Sequence, residues 1–335
     1  MVKYVLVLIF TSVILLSGCG TPNDPESVMG GDGGYKIVSK HPTSAFAQDI
    51  LVDDTLAYIA QGEGGLTIIN VKSPSNPSVV TVLTEQLRGY SYKLAIKDTI
   101  IYIASGLFGV TSINVVNPVN PIVEGNNRNV KPAKDFCIFN NFLFTAISEE
   151  GVNIAWLGDD ARYPDIRGGM ITPGYAQGVA ISSDSNYALV AIGEMGLSFY
   201  DISQMGTGGG IYPLFKIVDT DGYAENVTIN PFSPIAYVAC GTGGLAIVDY
   251  SDSIDIKLAG NFVTTGYAKE VYYQNDKIYI ATETRGLQII DVADPQNPVR
   301  LGTVATMYAK GVTADDNYIY VADEDEGLII VSIPK

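Results

Sequence analysis

The chain of 335 residues has one histidine, three cysteines and one tryptophan. With His41 alone, a His-rich metal site or a Ser-His-Asp arrangement has a single imidazole to use. Its place beside Pro42 reads as a surface turn. The cysteines fall at 19, 137 and 240, with no Cys-x-x-Cys spacing, which excludes the usual redox and zinc motifs. Cys137 and Cys240 are expected as buried free thiols. No Gly-x-Ser-x-Gly elbow or phosphate loop is present, and the glycine-rich stretch Gly206 to Gly210 precedes no helical pattern. Cations are scarce too. Twenty Lys and Arg face 36 Asp and Glu, a net charge of −16, which argues against nucleic acid as a partner.

What is present begins with a leader. Lys3 precedes an apolar run from Tyr4 to Leu16, too short for the roughly 20 residues of a membrane-spanning helix. This is the pattern of a signal peptide. Leu16-Ser17-Gly18-Cys19 resembles the bacterial lipobox, which implies cleavage after residue 18 and a lipid on Cys19. The chain then divides into a signal peptide (1–18), a flexible Gly/Pro/Asn/Asp tether (19–34) and a domain (35–335). Gly20 is not Asp. By resemblance to lipoprotein sorting signals, the destination is an extracytoplasmic, lipid-anchored position at the outer membrane or cell surface, where the cell has an outer membrane. The domain itself is expected to be monomeric.

The domain is repetitive. A glycine before an apolar run recurs at Gly65, Gly109, Gly151, Gly196, Gly244, Gly286 and Gly327. Upstream of six of these stands an aromatic followed by a small residue: Phe46-Ala47, Tyr90-Ser91, Tyr175-Ala176, Tyr223-Ala224, Tyr267-Ala268 and Tyr308-Ala309. Pro132-Ala133 takes the place in the third copy. In the sixth copy, strands are expected at Lys269 to Tyr273, Lys277 to Thr282, Leu287 to Val292 and Val299 to Ala305, separated by Gly, Asp and Asn turns. Four short strands in each 40–45-residue repeat are the mark of propeller blades. The last copy stops at its third strand, the one after Gly327, while Tyr35 to Lys40 precedes the first copy as an orphan fourth strand. The expectation is therefore an all-β fold: a seven-bladed β-propeller of four-stranded antiparallel blades, with the N-terminal strand completing the last.

The third strands, such as Leu66 to Val71, Leu245 to Tyr250, Leu287 to Val292 and Leu328 to Ile333, resemble the LVIVD repeat of bacterial and archaeal surface propellers. Copies three and four depart from it, through Trp156-Leu157 and Phe199-Tyr200. The resemblance implies an extracytoplasmic β-propeller and no particular activity. Sialidase-type Asp boxes are absent, and the lone Trp156 does not suit propellers that dock many tryptophans.

Two constellations remain. The acidic one includes Asp53-Asp54, Asp159-Asp160, Asp219 with Asp221, Asp315-Asp316 and Asp323 to Glu326. Recurrence at one turn favours local hydrogen bonding for Asp53-Asp54 and Asp315-Asp316. The turn from Asp323 to Glu326 offers oxygen ligands that Ca²⁺ would accept. The other constellation is the aromatic-small pair, expected where each innermost strand begins and hence at one end of the channel. Its aromatics read chiefly as wedges between blades. The two positions after each pair vary, and from them a candidate binding rim is drawn: Asp49, Tyr92, Lys93, Lys134, Asp135, Gln177, Glu225, Asn226, Lys269, Glu270 and Lys310. The reading is a non-enzymatic envelope propeller presenting a face to a protein, peptide or glycan, with no catalytic residue and no required cofactor. The alternative is an extracytoplasmic enzyme using carboxylates, with or without Ca²⁺, on a glycan or related polymer.

Overall fold

Each repeat contains four short runs rich in Ile, Val and Tyr, and residues bounded by tight turns fold such runs into successive hairpins. The computed structural model describes residues 31–158, 161–206 and 210–335; it forms seven four-stranded antiparallel sheets and, among the described residues, no helix. The leader, Cys19, most of the tether and Asp159-Asp160 lie outside the described residues. In the sixth blade the strands are Glu270–Gln274, Lys277–Ala281, Leu287–Asp291 and Val299–Val304, within a residue of expectation. The landmark glycines take φ between 75° and 86°. This left-handed backbone is open to glycine at little cost.

The innermost strands are Asp49–Asp53, Lys93–Lys97, Asp135–Phe139, Gly178–Ile181, Asn226–Ile229, Glu270–Gln274 and Ala309–Ala314. Each touches the innermost strand of both neighbouring blades, and the last touches the first. The ring is closed by Lys36–His41, which pairs antiparallel with Gly327–Ser332 as the outer strand of the seventh blade. Closure sets each inner edge against the inner strands of the neighbouring blades, although no ladder joins them.

Among the described residues there is no single core. The buried apolar side chains form seven clusters, each between two consecutive blades. One second-strand position supplies the central wedge of every cluster: Tyr58, Tyr102, Phe144, Leu189, Tyr237, Tyr279 and Tyr320, all buried. Burying a side chain of this size contributes roughly 1.5–3 kcal/mol. In the fourth blade, Phe199 and Tyr200 point to opposite sides and fill the clusters on both flanks.

Candidate functional site

The aromatics of the aromatic-small pairs are not the wedges between blades that the sequence suggests; it is the alanines of the pairs that are buried in the clusters between blades. The small residue forms a short antiparallel bridge to the second turn of the preceding blade: Ser91 to Gly62, Ala133 to Gly106, Ala176 to Ser148, Ala224 to Gly193, Ala268 to Gly241 and Ala309 to Glu283. In each, the N–H of the small residue donates to the turn carbonyl at 2.9–3.2 Å. The aromatic ring lies over that turn. A Cβ built on Gly62, Gly193 or Gly241 would come within 2.7–2.9 Å of Tyr90, Tyr223 or Tyr267. Phe46 and Tyr175 are half exposed instead. Stitching of this kind fixes the height of whatever follows the pair.

The first residue after each pair is held by its backbone. Gln48, Tyr92, Lys134, Gln177, Glu225 and Lys269 donate their N–H to Ala60, Ala104, Ala146, Ala191, Ala239 and Ala281, at 2.7–2.9 Å. With Lys310 they form one layer around the channel mouth, lining a cavity of about 230 Å³. Most of its charges are already paired. Lys269 sits 2.7 Å from Glu225, which also accepts the Tyr267 hydroxyl at 2.5 Å. Lys310 lies 3.3 Å from both Glu283 and Glu324 and above the Tyr308 ring. Gln177 donates to the Tyr223 hydroxyl. Lys134 stands over the Tyr92 ring, 5.2 Å from its centre, with no carboxylate within ion-pair distance among the described residues. Burial, and then the charge of Lys269, hold the Lys134 pKa below the ordinary lysine value.

The second residue after each pair forms a deeper layer that separates the mouth from a lower channel space of about 280 Å³. Here three acceptors staple blade to blade. Asp49 accepts the N–H of Leu94 at 2.7 Å, Asp135 that of Val179 at 3.1 Å, and Asn226 that of Val271 at 3.2 Å. These N–H groups begin strands whose inner edge has no ladder partner, so each would otherwise be a buried donor without an acceptor. Lys93 bridges Asp49 at 3.0 Å and Glu270, across the channel, at 2.6 Å. Burial opposes the Lys93 ammonium, yet Asp49 and Glu270 hold its pKa above the usual value. Burial pushes Asp135 up, against the pull of Lys93. Glu270 is pushed up to about 8, by burial first and by Asp49 beyond the compensation from Lys93.

All eleven rim residues drawn from the sequence therefore reach the channel, in two layers of different character. Asp49 is only 2% exposed and faces the lower space rather than the mouth; its burial follows from the staple to Leu94, and Gln48 takes its place among the mouth residues. Gln48 had the same signal as the others, a polar residue at the variable position after the pair. The remaining candidates lie elsewhere. His41 ends the closing strand, with Nδ1 3.1 Å from the Pro42 carbonyl. Cys137 and Cys240 are free; Cys240 is buried, whereas Cys137 is only partly so, against the expectation of two buried thiols, because it lies on an innermost strand at the margin of the cluster between blades three and four. Asp323 spends its carboxylate on the N–H groups of Tyr308, Asp325 and Glu326. Asp315 caps Asn317 and Tyr318 in the local manner expected of its turn.

The model of the LVIVD repeat family matches residues 46–84, 173–205, 221–264, 265–306 and 308–333, more than half of the chain. The second and third copies fall outside the matched segments, while the fourth, with Phe199-Tyr200, is matched. No curated protein matches. Among solved structures, the chain is similar to the WD40 repeats of RRP9 (8% identity, 91% of this chain and 98% of that one, TM-score 0.70). It is also similar to the WD40 β-propeller domain of Doa1 (11% identity, 90% and 98%, TM-score 0.65). A third likeness is to the computationally designed protein Ika8 (9% identity, 86% and 83%, TM-score 0.61). At these identities the likeness is one of fold.

Proposed function

The chain belongs to the LVIVD repeat family, and we propose that it is a non-enzymatic, lipid-anchored cell-envelope propeller whose channel mouth binds a protein, peptide or glycan. One observation carries the reading. Six of the seven blades hold their mouth residues at one height through the same backbone bond, and a bulge at Lys310 brings in the seventh, yet the side chains there are Gln, Tyr, Lys, Gln, Glu, Lys and Lys. A rigid scaffold with unlike polar groups at equivalent positions suits recognition. The anchor rests on Lys3, the apolar run and Leu16 to Cys19.

The test is capture of partners from envelope extracts by the full-length protein, against a variant with Lys134, Gln177, Glu225 and Lys269 all replaced by Ala. The variant should stay folded and lose the specifically captured partner. An unchanged captured set would remove the mouth from the reading. Cys19→Ser should abolish incorporation of labelled fatty acid and leave the circular dichroism spectrum unchanged; wild-type protein free of lipid would remove the anchor.

A carboxylate-dependent enzyme is the second reading. What favours it is the gathering of Asp49, Asp135 and Glu270 around Lys93, with Glu270 able to carry a proton near neutral pH. Against it, Asp49 and Glu270 are bound to the ammonium and Asp135 to a backbone N–H. Two acids that cleave a glycosidic bond must instead flank it from an open cleft. Glycan turnover that disappears in Glu270→Gln would reverse this preference.

A further inference from the structure

One lysine of the mouth stands outside its ion pairs, and that lysine indicates what the mouth takes. Of the four lysines at the channel, Lys93 is shared by Asp49 and Glu270, Lys269 is paired with Glu225, and Lys310 with Glu283 and Glu324. Lys134 has no such partner, and its position in the ring explains why. Its neighbours in the same layer are Tyr92 and Gln177. The preceding turn, which gives Lys310 its Glu283, gives Lys134 only Gly106. The Tyr92 ring supports the ammonium from one side. A half-buried cation with Lys269 nearby, and with Glu225 acting on it only from beyond ion-pair distance, is unfavourable alone, and an anion entering the mouth supplies the missing contact partner.

Resting on the mouth as the binding face, we propose that Lys134 receives the carboxylate of a single residue-sized group inserted into the channel mouth. A single ammonium without an ion-pair partner suits a monoanion. Asp135, Glu225 and Glu270 line the same cavity and oppose a second negative charge. The size follows from the cavity, which at about 230 Å³ is below the roughly 300–1,000 Å³ of pockets for drug-sized ligands. One residue at the end of a chain fits: an acidic sugar or a peptide C-terminus. Gln177 beside it, and Gln48 on the far side of Tyr92, line the same cavity with amide groups that can meet hydroxyl or peptide groups of either.

The experiment is calorimetric titration of the full-length protein with glucuronate, N-acetylglycine, methyl glucoside and inorganic phosphate. Both carboxylates should bind at least tenfold more tightly than methyl glucoside. Lys134→Met should abolish that preference with its unfolding midpoint unchanged, and Lys134→Arg should retain it. Tighter binding of glucuronate assigns the source to an acidic sugar, tighter binding of N-acetylglycine to a peptide end. Binding of neither carboxylate, equal binding of methyl glucoside, tighter binding of phosphate, or a Lys134→Met protein that binds like wild type would each overturn the proposal. If carboxylates fail while the mouth variant still loses its envelope partner, this inference falls and the binding-face reading stands.

Discussion

Glu270→Gln should remove a pH dependence of stability that the wild-type protein carries. In the folded ring, Asp49, Asp135 and Glu270 share the single ammonium of Lys93, and Glu270 is only 14% exposed. Its carboxyl is pushed up from the usual 4.5 to about 8. The folded state therefore keeps a proton that the unfolded chain releases. Its contribution to stability is complete below pH 4.5 and is lost as pH rises through about 8. At about 1.4 kcal/mol per pH unit, the loss between pH 5.5 and 8.5 comes to about 3 kcal/mol. With about 300 ordered residues and roughly 2.1 cal/mol/K of unfolding entropy per residue, this is a fall of about 5 °C in Tm. Gln keeps an acceptor for Lys93 and carries no titrating proton. Thermal unfolding followed by circular dichroism across that range should show the wild type falling and Glu270→Gln flat, with the variant more stable at pH 8.5. Parallel profiles for the two proteins would refute the assignment of the shift to Glu270.

Lys93→Met strands the buried Asp49 carboxylate, leaves the Glu270 carboxyl without its partner and should cost about 3–5 kcal/mol at pH 7, or about 5–8 °C; a Lys93→Met protein of wild-type Tm would contradict the buried-bridge account. Gly241 has φ of 55° and holds the bridge to Ala268 beneath the Tyr267 ring, so Gly241→Ala should lower stability by about 1–3 kcal/mol in denaturant titration. Gly206→Ala, which meets open space, is the control and should leave the midpoint in place.

The ring was legible because its signals are local and repeated. A glycine at a positive-φ turn and an aromatic-small pair each mark one hairpin, and seven copies fix the blade count. The displaced strand from Lys36 to His41 was legible for the same reason, since it completes the pattern of the seventh copy. The site was legible only as positions. That the residues after the pair face one mouth follows from the register. That Lys93 reaches Glu270 does not, because the two are 177 positions apart (270 − 93) and meet across the channel. The central wedge was overlooked despite a signal, an aromatic two residues before an alanine in Tyr58-x-Ala60, Tyr102-x-Ala104 and Tyr279-x-Ala281. Alternation along a strand marks its buried face but not which neighbour it is buried against.

The deeper layer also explains why recognition belongs to the layer above it. Asp49, Asp135 and Asn226 stand in blades one, three and five and staple blades two, four and six. An alternation of this kind cannot run unbroken around seven blades. It breaks at the seventh, where Gly311 stands against Asp49; a Cβ there would lie 2.8 Å from the Asp49 Cα. Gly178 is confined in the same way, 2.9 Å from the Asn226 Cα. Between Glu270 and Lys93 in the ring stand only Gly311 and Asp49, and the bridge between them passes where no other long side chain competes. Every member of this layer is thus committed to a staple, a bridge or a close approach, and a substitution there is paid in stability. The layer of Gln48, Tyr92, Lys134, Gln177, Glu225, Lys269 and Lys310 is held in place by backbone bonds in six of its seven members, and its side-chain pairs lie within the mouth and its turns rather than between inner strands. Its side chains can change what the mouth binds while the ring beneath them stays closed.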